Sequence, residues 1–454
     1  MRKALTHSFE LRQTGSSIPT IDKYAIVPVL ACAYAAIIGP LMIFDVTPTQ
    51  VTLTHMQNAE PGLPHRIFWP AMAAVSVVIA MRNYSRLSRL TWPPHMICLL
   101  AYVAFAGASV LWAFRPEASF VRFAQQLMLL SSIVLPAMLA ARTADLMRGM
   151  FLCFAVGAIL NVFFGYENPD GYSGYLMGKN TLGEFSGIAL LLALHETFYP
   201  GLRRVFGIIF VVIATLLLLW SQSKTAYGLA LFCPLLAGVI LAIRKATRMS
   251  PAITLVSAVL CYAAVSSVSS FNMDGVATIL YGDPTLTGRT FIWDFAFSEI
   301  ARRPLFGWGY QSFWLVGTDA PSVFEAPGWI GSMPNAHNGY YDTMLELGYI
   351  GCGLLIVFIL ATIHLIGRVA DRDGGRAWLL LSLALYVITY NCLETFWMHG
   401  SEPLWVVFVI VAAEIGRFSQ PFPPVLAQRQ PRNLVMRGPI HHRERSDTSY
   451  RQSE

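Results

Sequence analysis

The sequence predicts an all-α polytopic membrane protein of about twelve transmembrane helices, and three observations support this fold class. Of the 454 residues, 55% are hydrophobic and only 13% are charged, whereas soluble domains carry about 25% charged residues. The apolar residues form near-continuous blocks of 16 to 22 residues, about the length that a helix needs to cross a hydrocarbon core of roughly 30 Å. These blocks do not alternate in polarity, as the strands of a transmembrane β-barrel would.

The predicted spans follow one another along the chain from an N-terminal segment, residues 1–23, that is too polar and too long to be a cleavable signal peptide. Nine spans fall within residues 24–271 and three within 348–418. Residues 419–454 are rich in Pro, Arg, Gln and Ser and are predicted to form a disordered cytoplasmic tail. The spans are placed at residues 24–44, 66–81, 95–113, 119–140, 146–165, 182–199, 205–220, 225–243, 252–271, 348–367, 377–393 and 403–418.

The connection between the ninth and tenth spans, residues 272–347, is much longer than the others. A loop of this length that has its own apolar residues is usually functional. Short helices are predicted within it, one of them from Phe291 to Arg302, which Pro304 ends. We therefore expect this loop to carry the chemistry.

The distribution of Lys and Arg predicts the orientation. With the N-terminus in the cytoplasm and alternating spans, 24 of the 32 Lys and Arg residues fall in cytoplasmic segments. Both termini are then cytoplasmic, and the long loop is periplasmic. The net charge of +6 suits an anionic inner leaflet, and no basic–aromatic pattern indicates nucleic-acid binding. The seven cysteines form no CxxC pair, and neither a metal site nor a cofactor is predicted.

Two residues of the loop stand out chemically. Arg289 follows Gly288 at the N-terminal end of a predicted helix, where backbone N–H groups and a guanidinium make an anion site. His337 follows Pro334 just before the chain re-enters the membrane, and an imidazole can accept a proton near neutral pH. The alternative for Arg289 is an ordinary arginine at a loop–helix junction, and for His337 a hydrogen-bonded structural histidine.

Three further cations lie near the outer ends of predicted spans: Lys179, Lys224 and Arg122. Their convergence on the outer face would suit a diphosphate, whereas the alternative is that long side chains near helix ends extend to the membrane interface. The aromatic residues of the outer face would either stack on sugar rings or form an interfacial belt. They include Trp293, Trp308, Tyr310, Trp314 and Trp329.

Six short motifs lie in order between about residues 175 and 351. They are Lys179-Asn180-x-Leu182-Gly183, Ser221-x-Ser223-Lys224-Thr225-Ala226, Thr287-Gly288-Arg289-Thr290-x-Ile292-Trp293, Arg303-Pro304-Leu305-x-Gly307-x-Gly309-x-x-Ser312-Phe313, Ala336-His337-Asn338-x-Tyr340 and Leu347-Gly348-x-x-Gly351. In this order and spacing they resemble the O-antigen ligase/polymerase family. The sequence around Phe313-Trp314 and Pro327-Gly328-Trp329 resembles bacterial exopolysaccharide polymerases more than lipopolysaccharide ligases.

The resemblance implies a GT-C-like helical fold and a metal-independent glycosyltransferase at the outer face of the bacterial inner membrane. Its donor would be an oligosaccharide linked to undecaprenyl diphosphate, and its acceptor another glycan. His337 matches the family's general base, Arg289 its diphosphate-binding arginine, and Arg122 a further conserved cation. Lys224 stands where many relatives have arginine, so its contact with phosphate is geometrically less defined.

The implied reaction is an inverting transfer in which Arg289 neutralises the leaving diphosphate and His337 takes a proton from the acceptor hydroxyl. The alternatives are ligation of a finished glycan to lipid A core and, outside enzymes, a polysaccharide transporter or scaffold. A chain-length regulator and export proteins are candidate partners. Candidates for orienting the histidine or contacting sugar are Asn338, Tyr340, Asp342 and Glu346.

Overall fold

The computed structural model describes residues 24–42, 63–140, 145–165, 167–168, 171–176, 178–269 and 288–420. Within these ranges the chain is nearly all helical, apart from a pair of two-residue antiparallel strands, β1 (Glu167–Asn168) and β2 (Gly171–Tyr172). The long helices are α1 (Ile26–Met42), α2 (Leu63–Arg82), α3 (Pro94–Trp112), α4 (Pro116–Leu139), α5 (Leu146–Phe163), α6 (Lys179–Glu196), α7 (Leu202–Ser221), α8 (Lys224–Thr247), α9 (Pro251–Val268), α10 (Arg289–Arg302), α11 (Gly339–Ala370), α12 (Gly374–Tyr390) and α13 (Pro403–Ser419). Shorter helical turns span Tyr84–Leu87, Gly174–Leu176, Pro321–Phe324 and Gly328–Ser332.

A helix lies at each of the twelve predicted spans. By length and composition, eight helices in the described ranges can cross a membrane, namely α2, α3, α4, α5, α7, α8, α9 and α11. Of the other four, α1 and α12 are apolar but shorter, while α6 and α13 bury charged residues such as Glu184 and Arg417. The prediction of an all-α polytopic membrane protein is confirmed. The GT-C likeness stays a prediction, and the predicted segments 1–23, 272–287 and 421–454 lie outside the described residues.

Local sequence explains where several helices begin. Proline is the first residue of α3, α4 and α9, where its missing N–H costs nothing and its fixed φ suits the helix. The side chain of Ser250 caps α9, and that of Asp373 caps α12 by accepting from the N–H of Arg376. Apolar side chains of the spans then pack into one large cluster. Helix α13 is buried from Leu404 to Arg417 and so lies inside the bundle.

Helix α11 is kinked where the long loop meets it. Gly348 has a φ of 65°, a left-handed conformation that favours glycine. A Cβ atom on Gly348 would collide with the carbonyl group of Leu305, and one on Gly307 with the backbone of Glu346. The backbones therefore approach closely, and the N–H of Trp308 donates to the carbonyl of Leu345 at 2.8 Å. The glycines of two motifs thus dock the loop onto α11.

The loop has a small apolar core of its own. Its buried residues come from α10, from the segment between α10 and α11, and from the start of α11. Trp308, Tyr310 and Trp314 are each 5% exposed or less. These three aromatics therefore neither stack on sugars nor form an interfacial belt, which corrects both interpretations of them. The core is Ile292, Phe295, Ala296, Ile300, Trp308, Phe313, Trp314, Ile330, Ala336 and Leu345.

Candidate functional site

One cavity lies at the N-terminal ends of three helices, and each of these helices begins with a cationic residue. Lys179, Lys224 and Arg289 are the first residues of α6, α8 and α10. All three line a cavity of about 460 Å³. The first N–H groups of a helix lack intrahelical partners, and the helix dipole makes that end positive. Three such ends and three cations together suit an anion with more than one negative charge.

The cavity brings together four of the predicted site residues: the three cations and His337. Arg122, the fourth predicted cation, is not among the described residues that line it. Its guanidinium instead donates to the backbone carbonyl of Gln311. The remaining lining residues are Asn180, Gln222, Ser223, Thr225, Ile292, Trp329 and Met333.

His337 reaches the cavity from the turn before α11. Its φ of 49° is uncommon for a residue other than glycine, and its N–H donates to Oδ1 of Asn335 at 2.9 Å. Backbone strain of this kind costs about 1–3 kcal/mol and persists where the surroundings fix it, often at functional sites. The side chain is 31% exposed, so the ring is partly open to the cavity.

The carboxylate of Glu394 joins the histidine to the arginine. Its Oε1 lies 2.7 Å from Nη2 of Arg289, and its Oε2 lies 2.7 Å from Nδ1 of His337. Asn180 also donates to Oε1, at 3.3 Å. An ionised carboxylate only accepts hydrogen bonds, so Nδ1 of His337 carries the proton. In the neutral ring, Nε2 is then the nitrogen with a free lone pair.

The sequence patterns did not single out Glu394, which lies between α12 and α13. The predicted membrane topology could have identified this residue. Under the predicted orientation, Glu394 follows the eleventh span on the same outer face as His337 and the cations. An acidic side chain at that level is the natural counter-charge for a cluster of cations.

A buried carboxylate fixes the backbone around the histidine. Asp342 is 1% exposed. Its Oδ1 accepts from Nε1 of Trp314 at 2.6 Å and from the N–H of Ala336 at 3.1 Å. Its Oδ2 accepts from the hydroxyl of Thr395 at 2.5 Å. Because Thr395 directly follows Glu394, one network holds both sides of the histidine–glutamate contact.

Asn338 and Tyr340 secure the start of α11. The side-chain oxygen of Asn338 accepts from the N–H of Tyr340 at 3.0 Å and of Tyr341 at 3.2 Å. The backbone N–H of Asn338 donates to the hydroxyl of Thr395 at 3.1 Å. The hydroxyl of Tyr340 donates to the carbonyl of Ile388 at 2.9 Å. These contacts support the site from outside the cavity.

Glu346 belongs to a separate cluster. Its Oε1 lies 3.2 Å from Nε2 of His399, so its side chain contacts this histidine rather than His337. Burial lowers the pKa of His399, but the negative charges of Glu346 and its neighbours outweigh burial and leave that pKa above its ordinary value. The phenol of Tyr310 is buried in the same region, and burial raises its pKa.

A separate apolar groove lies along α6 and α8, two of the helices that also line the cavity. Its volume is about 720 Å³, and it lies between α6, α7, α8 and the start of α12. From Lys224 in the cavity, the lining of α8 continues through Tyr227, Leu231 and Gly238, a stripe about 21 Å long. The groove is lined by Leu190, Leu194, Thr215, Leu218, Leu219, Tyr227, Ala230, Leu231, Pro234, Leu235, Gly238 and Trp378.

Comparison with known proteins agrees with the motifs. Residues 209–359 match the model of the O-antigen ligase family. The exopolysaccharide production protein ExoQ of Rhizobium meliloti is 30% identical over 299 residues, which are 61% of this chain and 66% of that protein. The chain belongs to an O-antigen ligase/polymerase-like family.

Other relatives match over a shorter stretch. A candidate polysaccharide ligase of Rickettsia bellii is 26% identical over 132 residues, which are 28% of this chain and 32% of that protein. A homologue in Rickettsia felis is 24% identical over the same length. The chain thus spans just under two thirds of the ExoQ protein and about a third of the ligases.

Proposed function

We propose that this family member is a polysaccharide polymerase that joins lipid-linked repeat units by inverting glycosyl transfer without a metal. One observation carries the proposal. The Glu394 carboxylate holds Arg289 on one oxygen and the Nδ1–H of His337 on the other, at a cavity lined by two more cations. The same carboxylate thereby holds a general base and an anion-binding arginine.

The donor is an oligosaccharide on undecaprenyl diphosphate. Its diphosphate binds at the N-terminal ends of α6, α8 and α10, beside Lys179, Lys224 and Arg289. These charges act most strongly on the leaving group, because negative charge grows on the diphosphate as its bond to the sugar breaks. The polyprenyl chain lies in the apolar groove along α8, whose lining residue Tyr227 follows Lys224 by one helical turn.

The acceptor is the sugar hydroxyl that His337 deprotonates. Its proton passes to Nε2 as the hydroxyl oxygen attacks the anomeric carbon from the face opposite the diphosphate. The new carbon–oxygen bond forms, the bond to the diphosphate breaks, and its electron pair leaves with the diphosphate. The resulting imidazolium is stabilised by Glu394, at 2.7 Å from Nδ1. Attack from the opposite face inverts the anomeric configuration.

Trp329 is the aromatic candidate for sugar contact. It is 50% exposed and lines the cavity, unlike Trp308, Tyr310 and Trp314, which are buried. An aromatic face beside the diphosphate site suits the apolar face of the first sugar ring.

The rival function within the same class is ligation of a finished glycan to lipid A core. Both reactions use the same kind of donor, so the cations and the base serve either. The similarity to ExoQ, an exopolysaccharide production protein, favours polymerisation. In either case the site faces the periplasm from the bacterial inner membrane, and both termini lie in the cytoplasm.

Reconstitution of the purified protein tests the proposal. We expect nanodiscs containing it to convert an undecaprenyl-diphosphate-linked repeat unit into a ladder of longer glycans on the same lipid, with EDTA present. Transfer to added lipid A core, without a ladder, would assign the ligase reaction. No glycan product with either acceptor would contradict both enzymatic functions.

A further inference from the structure

A second charged cavity lies at the opposite end of α8 from His337. Helix α8 runs from Lys224 to Thr247, so its ends are about 36 Å apart. The second cavity has a volume of about 420 Å³. Three cations and one carboxylate line it, which leaves it positive. The lining residues are Leu241, Ala242, Arg244, Lys245, Arg248, Ala370, Asp371 and Gly374.

The guanidinium of Arg244 is held in place at this cavity. Its Nη2 lies 2.7 Å from Oδ2 of Asp371, and it packs so closely against Gly367 that a Cβ there would approach within 3.0 Å of Nη1. Its Nε is buried and has no hydrogen-bond partner among the described residues. A buried N–H of a charged group is costly to leave unpaired, so a further acceptor would stabilise it.

The positive end of α12 opens onto the same cavity. Gly374 is the first residue of this 17-residue helix. No atom lies within 4 Å of the point where a Cβ on Gly374 would stand, so space is open beside the first turn. Asp373 accepts from the N–H of Arg376 at 2.9 Å, and the N–H groups of Gly374 and Gly375, in the first turn, have no intrahelical acceptor.

We propose that this cavity binds a phosphate anion, supplied by the head group of an acidic phospholipid. Lys245 and Arg248 contact the phosphate as mobile cations, while Arg244 and the N-terminus of α12 provide fixed donors. The volume exceeds that of phosphate alone and suits a glycerophosphate group. Basic cavities between membrane helices at one face of the bilayer are typical sites for such head groups. The site is independent of the reaction proposed for His337.

Native mass spectrometry of the full chain tests this site. The protein is reconstituted in equimolar phosphatidylglycerol and phosphatidylcholine, and the lipid retained on release is identified. The variant Lys245→Gln/Arg248→Gln keeps the pair between Arg244 and Asp371, so the fold is preserved. The control, Arg86→Gln/Arg89→Gln, removes two exposed cations beside the end of α2.

We expect the wild type and the control to retain phosphatidylglycerol in preference, and the cavity variant to bind it at least about tenfold more weakly. A parallel thermal-shift titration with inorganic phosphate distinguishes the source. Stabilisation by phosphate that the cavity variant loses, without phosphatidylglycerol retention, would assign free phosphate. Equal retention of both lipids by all three proteins, with no response to phosphate, would overturn the proposal.

Discussion

Nδ1 of His337 lies 2.7 Å from Oε2 of Glu394, although the two residues are 57 positions apart in the chain. The contact fixes the proton on Nδ1 and leaves Nε2 as the nitrogen that can accept a proton from the acceptor hydroxyl. Because the same carboxylate binds Arg289 at 2.7 Å, the base and the anion site are positioned together.

Replacing Glu394 by glutamine tests its positioning role. The substitution preserves size but removes the charge that stabilises an imidazolium, so we expect kcat to fall about a hundredfold. Donor KM should change much less, because Lys179 and Lys224 remain. The measurement is steady-state glycan transfer, with the exposed Glu117→Gln as a matched control. Equal losses in both variants, or a change in KM alone, would argue against positioning of the base.

Substitutions of Lys224 test where the diphosphate binds. The variant Lys224→Ala removes a cation from the cavity, and we expect donor KM to rise about tenfold. Lys224→Arg keeps the charge and offers a forked donor, so it should stay within about threefold of the wild type. Donor titration measures both, and Arg66→Gln, an exposed cation outside the cavity, serves as control. An unchanged KM in Lys224→Ala would place the diphosphate elsewhere.

Substitution of Gly348 tests how the long loop docks onto α11. A side chain there meets the carbonyl of Leu305 and forces a positive φ on a residue other than glycine. We expect Gly348→Ala to destabilise the fold by about 1–3 kcal/mol, seen as a lower thermal midpoint in detergent. Gly353→Ala is the matched control, because a Cβ at that position of α11 meets nothing within 4 Å. Equal midpoints for the two variants would contradict the close approach.

The contact between His399 and Glu346 predicts how stability depends on pH. The folded state raises the pKa of His399, so protonation favours folding. This stabilisation is complete below the unfolded pKa of about 6.5 and is lost as pH rises through the higher folded value. The thermal midpoint should therefore fall more between about pH 6 and pH 9 in the wild type than in His399→Gln. Parallel pH profiles of the two proteins would exclude this contribution.

The helices could be predicted from sequence because a hydrocarbon core demands long apolar blocks, and each block became a helix. The convergence of Lys179, Lys224 and Arg289 could also be predicted, because each of these residues lies beside the predicted start of a helix. Glu394 was not, because its partner Arg289 is 105 positions away and no local pattern marks a lone carboxylate. Composition likewise could not separate an aromatic belt from a loop core, and only packing showed that Trp314 is buried.

The most direct test of the central claim separates donor binding from turnover in His337→Ala. With purified protein in nanodiscs and an undecaprenyl-diphosphate-linked repeat unit, we expect donor affinity within about threefold of the wild type, because the cations are intact. Glycan transfer should fall at least about a hundredfold, because the base is gone. Wild-type transfer by a folded His337→Ala protein would contradict the account.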